Sequence, residues 1–161
     1  IVIFWGKGLS SIGLAPSTAS NGLKKGVIWA SGFGLVTFFG FIVLFLVDID
    51  PLALIHTPLP RKGNEIVLFF LIGGLVAPIA EEVFFRGILY GFLRRWGVLL
   101  ALILTTAIFV LAHPVFPRIP VTQMLGGIIF ALAYEIEGNL MAPITIHVLG
   151  NMAIFILSLI A

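Results

Sequence analysis

Glu81 and Glu82 stand side by side in one of the most apolar stretches of the chain, LIGGLVAPIAEEVFFRGILYGF, with Arg86 four residues beyond Glu82. An ionisable side chain in hydrocarbon costs at least ~2.5 kcal/mol on insertion scales, so carboxylates in such a place face a bundle interior or a water cavity and act there. The i, i+4 spacing sets Glu82 and Arg86 on one helical face, with the acid on the favoured N-terminal side, and burial makes their pairing nearly obligatory. Glu81 points about 100° away around the helix and has Phe85, not a base, at i+4. It is the carboxylate left over, since two acids and one arginine leave a surplus charge. Among Phe84, Phe85 and aliphatic neighbours a carboxylate accepts a proton more readily than in water, which suits a general base.

Three further side chains can join this pair. His147 and Asn151, four residues apart, share a helical face, so imidazole and carboxamide can address one bound group. His113 lies at the end of an apolar run, a place that suits an interfacial histidine as well as a catalytic one. His56 lies among prolines in a polar connection and reads as solvated. A cavity holding Glu81, His113, His147 and Asn151 offers two kinds of hydrolysis. Glu81 and His113 can hold a water while His147 and Asn151 donate to the oxyanion formed on a scissile carbonyl. Alternatively Glu81, His113 and His147 supply the two imidazoles and one carboxylate of an open zinc site. The compact HExxH spacing of a helical zinc site is absent, and asparagine is an uncommon zinc ligand but a good oxyanion donor, so direct water activation with no metal is the preferred reading.

These residues need a membrane scaffold to position them, and the composition supplies one. Hydrophobic residues make up 60% of the chain and charged residues 10%, against roughly 25% charged in a soluble domain. The length of 161 residues fits a single membrane-embedded domain with about five spans of ~20 residues each. The fold class expected is an all-α polytopic transmembrane bundle, with membrane lipids as its surroundings. Net charge is only +2 and the basic residues cluster near helix ends, so the chain does not read as a nucleic-acid binder. With no cysteine, disulfides, thiolate nucleophiles and cysteine-ligated zinc are excluded.

Along the chain, residues 1–5 read as the end of an upstream helix and 6–25 as a polar, Gly/Ser-rich connector. Because the chain opens on Ile1 with no initiator Met and no signal-peptide pattern, upstream helices are expected. Residues 26–47 form a first spanning helix, closed by Asp48, Asp50 and Pro51; 50–65 make a surface connection. Residues 66–93 form a second helix, bent where Pro78 leaves the carbonyl of Gly74 unpaired, one turn before Glu81. Helices over 98–113, 121–135 and 140–160 follow, the first ending in Pro114, Pro117 and Pro120, the second carrying Gly126 and Gly127 for close contact. With Gly97 as the hairpin centre, Glu81 and His113 each lie sixteen residues away, ~24 Å at helical rise, and therefore at equal depth. His147 lies only ~12 Å into its helix, so tilt or a later start must bring it level. Lys7, Lys24, Lys25, Arg94 and Arg95 fall on one side of this arrangement and Arg61, Lys62 and Arg118 on the other, which makes the former side cytoplasmic.

Three patterns resemble those of the CPBP intramembrane proteases, also called the CAAX protease and bacteriocin-processing family, a type II CAAX prenyl endopeptidase-like group. EExxFRG is met by Glu81, Glu82, Phe85, Arg86 and Gly87, FxxxH by Phe109 and His113, and HxxxN by His147 and Asn151, preceded by GNLMAPITIH. The resemblance covers roughly residues 65–161. It implies an intramembrane endopeptidase in a prokaryotic cytoplasmic membrane, acting on a membrane-embedded or lipidated peptide. In that reading Glu81 and His113 activate water, His147 and Asn151 form the oxyanion site, and Glu82 and Arg86 orient the site and hold substrate. A non-catalytic bacteriocin-immunity or scaffold protein of the same fold is the alternative, and a proton relay through the buried acids a third reading.

Overall fold

The computed structural model describes residues 8–113 and 120–160; residues 1–5, Lys7, Pro114, Pro117 and Arg118 lie outside them. After a single 3₁₀ turn, Gly8–Ile12, come α1 (Pro16–Leu46), the one-turn α2 (Leu52–Ile55), α3 (Gly63–Trp96), α4 (Val98–Leu111), α5 (Val121–Glu137) and α6 (Met141–Ile160). The architecture is all-α among the described residues, as the composition requires. The five long helices expected are present. α1, α3 and α6 are long and apolar enough to cross a membrane, whereas α4, with 14 residues, and α5, with 17, are shorter.

α1 begins at Pro16 rather than Gly26, so half of the expected connector, residues 16–25, belongs to this helix. Pro16 occupies its first turn, where a missing N–H is harmless. The start of α1 is tied to the facing ends of α5 and α6. Asn139 Nδ2 donates to Thr18 O at 2.9 Å, Lys25 Nζ lies 3.7 Å from Glu137, and Trp29 Nε1 donates to Glu137 Oε1 at 2.9 Å. Gly22 and Gly26, one turn apart, let α6 approach: a Cβ at Gly22 would fall 2.3 Å from Asn139 Oδ1, and one at Gly26 would fall 2.5 Å from Thr145 Cβ and 2.8 Å from the Ala142 carbonyl. Gly26→Ala is therefore expected to destabilise the chain by ~1–3 kcal/mol, as overpacking does. Gly32→Ala, with nothing within 4 Å, is the control, and thermal unfolding in detergent separates the two. Beyond Val27 the helix turns large apolar side chains such as Phe38, Phe39 and Phe45 outward, as a helix solvated by lipid does. It stops where expected: Asp48 takes a left-handed φ of 58° and its N–H bonds Phe45 O.

α3 carries two π segments, Ile72–Val76 and Val83–Tyr90, on either side of the Glu81–Glu82 pair. It ends at Gly97, whose φ of 123° favours glycine and lets α4 turn straight back. Between α4 and α5 the close approach is made by Gly127, where a Cβ would lie 2.9 Å from Thr106 Cγ2; Gly126 faces its own Phe130. The core is a ring cluster of Phe85, Phe109 and Phe130 with Ala133 and Ile146.

The depth of His147 is settled by where α6 begins. Leu140 packs beside Gly87, 3.5 Å from the position of a Cβ there, so α6 starts level with Gly87 and not with Gly97. From that level Glu81 and His147 are each about six residues away, ~9 Å of helix. The 3₁₀ turn holds this arrangement: Ile12 is fully buried against Gly87, Gly13 O accepts the Leu140 N–H at 3.1 Å, and Tyr134 Oη donates to Ile12 O at 3.2 Å.

Candidate active site

Burial dictates the inner half of the site. Glu82 and Arg86 have 0% of their surface exposed, and Arg86 Nη1 donates to Glu82 Oε1 at 2.9 Å. The other end of the guanidinium, Nη2, donates to Gly127 O at 3.0 Å. Its carbon lies 4.8 Å from the ring centre of Phe109, 5.2 Å from that of Phe130 and 5.8 Å from that of Phe85, so three aromatic rings replace its water shell.

The same carboxylate reaches a third helix. Glu82 Oε1 also accepts from His147 Nδ1 at 2.8 Å, and the Phe130 ring stacks on that imidazole at 4.5 Å and 21°. One histidine therefore lies between both acids, because its Nε2 faces Glu81 Oε2 at 3.8 Å. His113 Nε2 approaches the same oxygen at 3.5 Å from α4. Its own Nδ1 donates to Phe109 O at 2.7 Å, one turn back, where the carbonyl can only accept. Glu81 Oε2 is buried and has no hydrogen-bond partner in the protein, although the Glu81 side chain as a whole is 28% exposed. Glu81 and His113 thus form the open side of a cluster that Glu82, Arg86 and His147 close.

Glu81 and His113 meet as the depth count expects, and His147 joins them because α6 starts level with Gly87. Asn151, one turn beyond His147 on α6, is engaged elsewhere, its Nδ2 donating to Gly73 O at 2.9 Å. In the π turn the Ala77 N–H bonds Ile72 O, so Gly73, besides the Gly74 whose i+4 residue is Pro78, also loses its α-helical donor. Three participants escaped the sequence: Phe130, Gly127 O and Gly73 O. Nothing marks Phe130 among 15 phenylalanines, and the carbonyls carry no signature at all.

Residues 63–153 match the Type II CAAX prenyl endopeptidase Rce1-like family, and this span holds every side chain of the cluster. The chain belongs to that family. It is 33% identical over 105 residues to the membrane-embedded CAAX protease MroQ of Staphylococcus aureus (strain USA300), covering 61% of this chain and 42% of the relative. It is 28% identical over 142 residues to an uncharacterized 24.3 kDa protein of Escherichia coli, covering 83% of this chain and 65% of the relative. The chain thus spans 42% and 65% of the lengths of the curated relatives it matches. No solved structure matches it. Membership of this family and the three spanning helices make the protein an integral membrane protein. In this CAAX protease-like chain, no group of three His, Cys, Asp or Glu side chains among the described residues is arranged to hold a metal ion.

Proposed function

We propose that the protein is an intramembrane endopeptidase that hydrolyses a peptide bond of a membrane-embedded or lipidated protein or peptide with water activated by Glu81 and His113. The observation that carries this reading is the buried Oε2 of Glu81, without a protein partner and faced by imidazole nitrogens from two other helices. Glu81, Glu82 and Arg86 sum to one negative charge, and one proton on an imidazole neutralises the cluster. The proposed step requires that proton on His147, between both acids, so that Nδ1–H goes to Glu82 and Nε2–H can donate. His113, with Nδ1–H given to Phe109 O, keeps a lone pair on Nε2. A water donating to Glu81 Oε2 and His113 Nε2 has its own lone pair turned outward.

Glu81 takes a proton from this water as its oxygen bonds to the scissile carbonyl carbon. The carbonyl oxygen becomes an oxyanion held by His147 Nε2–H and by the second amide hydrogen of Asn151. Collapse breaks the carbon–nitrogen bond, and the leaving nitrogen receives the proton from Glu81. Glu82 and Arg86 keep His147 oriented throughout. An apolar recess of about 410 Å³ lined by Pro60, Glu65, Leu68, Phe69, Ile72 and Gly73 is linked to the site through Gly73, whose carbonyl accepts from Asn151, and supports a substrate with an apolar chain. Lys25 and Arg94 both meet the end of α5, through Glu137 and Glu135, which supports that end as the cytoplasmic one in a prokaryotic cytoplasmic membrane. The testing experiment is incubation of the purified protein with membrane-derived peptides: wild type yields a new fragment by mass spectrometry and His113→Ala does not. Equal fragments from both, or none from wild type, would contradict the reading.

Zinc is a second reading, although Glu81, His113 and His147 are not arranged to hold a metal as they stand; one observation favours it: both imidazoles give Nδ1 to an acceptor and turn Nε2 toward Glu81, as histidines bound to metal do. With direct activation, a chelator leaves cleavage intact and active protein contains well below one zinc per chain. Stoichiometric zinc, with cleavage lost on chelation and restored by zinc, would replace water activation by a metal-generated nucleophile.

A further inference from the structure

Inside an α-helix each carbonyl accepts from the residue four on; in a π turn it accepts from five on. At Ile72–Val76 the chain makes this switch, and the Ala77 N–H goes to Ile72 O. Gly73 O therefore loses its α-helical donor, Ala77, and its π donor is residue 78, a proline without an N–H. An orphan carbonyl at membrane depth costs several kcal/mol unless a neighbouring helix supplies a donor. Asn151 Nδ2 of α6 supplies it at 2.9 Å. The approach depends on bare glycines: a Cβ at Gly73 would lie 3.2 Å from the Phe155 ring and one at Gly74 would lie 2.7 Å from Met152 Cε.

We propose that Asn151, apart from its second amide hydrogen on the oxyanion, has a positioning role: its other N–H stands in for the one missing at Pro78, pinning the π turn that sets the rotation of α3 and so aims Glu81. An extra residue in one helical turn rotates everything beyond it by about 100°, which is the angular separation of Glu81 from its neighbours. The catalytic consequence rests on Glu81 being the base; the bond itself does not.

The test is a cycle of Asn151→Ala, Pro78→Ala and the double variant in detergent. Alanine at 78 restores a backbone donor, and Gly73 O then finds a partner in either helical register. Gly-carbonyl-¹³C, Gly-¹⁵N labelling marks only the two Gly-Gly steps, Gly73–Gly74 and Gly126–Gly127. Expected in the wild-type background, Asn151→Ala moves the Gly73 carbonyl resonance upfield and shifts the His113 imidazole ¹⁵N resonances, although Asn151 does not touch His113. It also lowers the melting temperature by roughly 2–4 °C for each kcal/mol lost. In the Pro78→Ala background the melting loss from Asn151→Ala falls to less than about half, because the two sites share one carbonyl. An unmoved Gly73 resonance, unmoved His113 resonances, or an equal melting loss in both backgrounds overturns the proposal. Absence of cleavage by wild-type protein would instead overturn the peptidase reading and leave this cycle readable.

Discussion

Replacing Glu81 by Gln is expected to lower peptide cleavage by about 10²–10⁴-fold, the range of a lost general base, while the chain still folds. The amide keeps the shape of the carboxylate but cannot take the water's proton. The rest of the cluster does not depend on it, because Glu82 holds both Arg86, at 2.9 Å, and His147, at 2.8 Å, without Glu81. Cleavage rates and thermal unfolding of the same preparations separate chemistry from folding. An unfolded variant, or one that cleaves like wild type, would remove Glu81 from the role of base.

The largest effect on stability is expected at Arg86. Arg86→Ala leaves Glu82 at 0% exposure with one imidazole and no guanidinium, and removing one partner of a buried pair costs about 3–5 kcal/mol. Gly127 O also loses its donor, and Phe109 and Phe130 lose the group between them. Arg94 provides the contrast. It reaches Glu135 with contacts of 2.7–3.0 Å, but its side chain is 46% exposed, where an ion pair contributes ~1 kcal/mol or less. Arg94→Ala should therefore unfold near the wild-type temperature and Arg86→Ala well below it. Glu82→Gln combined with Arg86→Met should recover part of the loss, since no charge is then buried without a partner. Equal, mild effects at Arg86 and Arg94 would contradict the buried pair.

Local spacing carried the parts of this structure that sequence could show. Glu82 and Arg86 meet because i, i+4 on a helix leaves them little choice, and Glu81 meets His113 because both sit sixteen residues from a glycine turn. What stayed hidden depends on contacts between distant segments. The helix over residues 16–25 looked like a linker because what ties it to the bundle lies far along the chain: Thr18 O meets Asn139 and Lys25 meets Glu137, each more than a hundred residues on. The level of His147 depends on Leu140 resting beside Gly87 under the turn that holds Ile12, which no count along α6 contains. Its second partner was hidden too: Glu82 was matched to Arg86 alone, yet the same oxygen also holds the His147 ring. At Pro78 the loss of a donor was legible, but the π turn adds Gly73 to the carbonyls without an α-helical donor, and only α6 could show where its new partner comes from.

The most direct measurement of the central claim is hydrolysis in ¹⁸O-labelled water. Wild-type protein and Glu81→Gln are reconstituted in vesicles with a membrane-spanning or lipidated peptide, and both fragments are weighed by mass spectrometry. Water activation by Glu81 predicts that the wild-type product carries one ¹⁸O in its new carboxylate, at a bond in or near the apolar segment, and that Glu81→Gln gives almost none. No labelled fragment from the wild type, or the same labelled fragment from both proteins, would contradict the account.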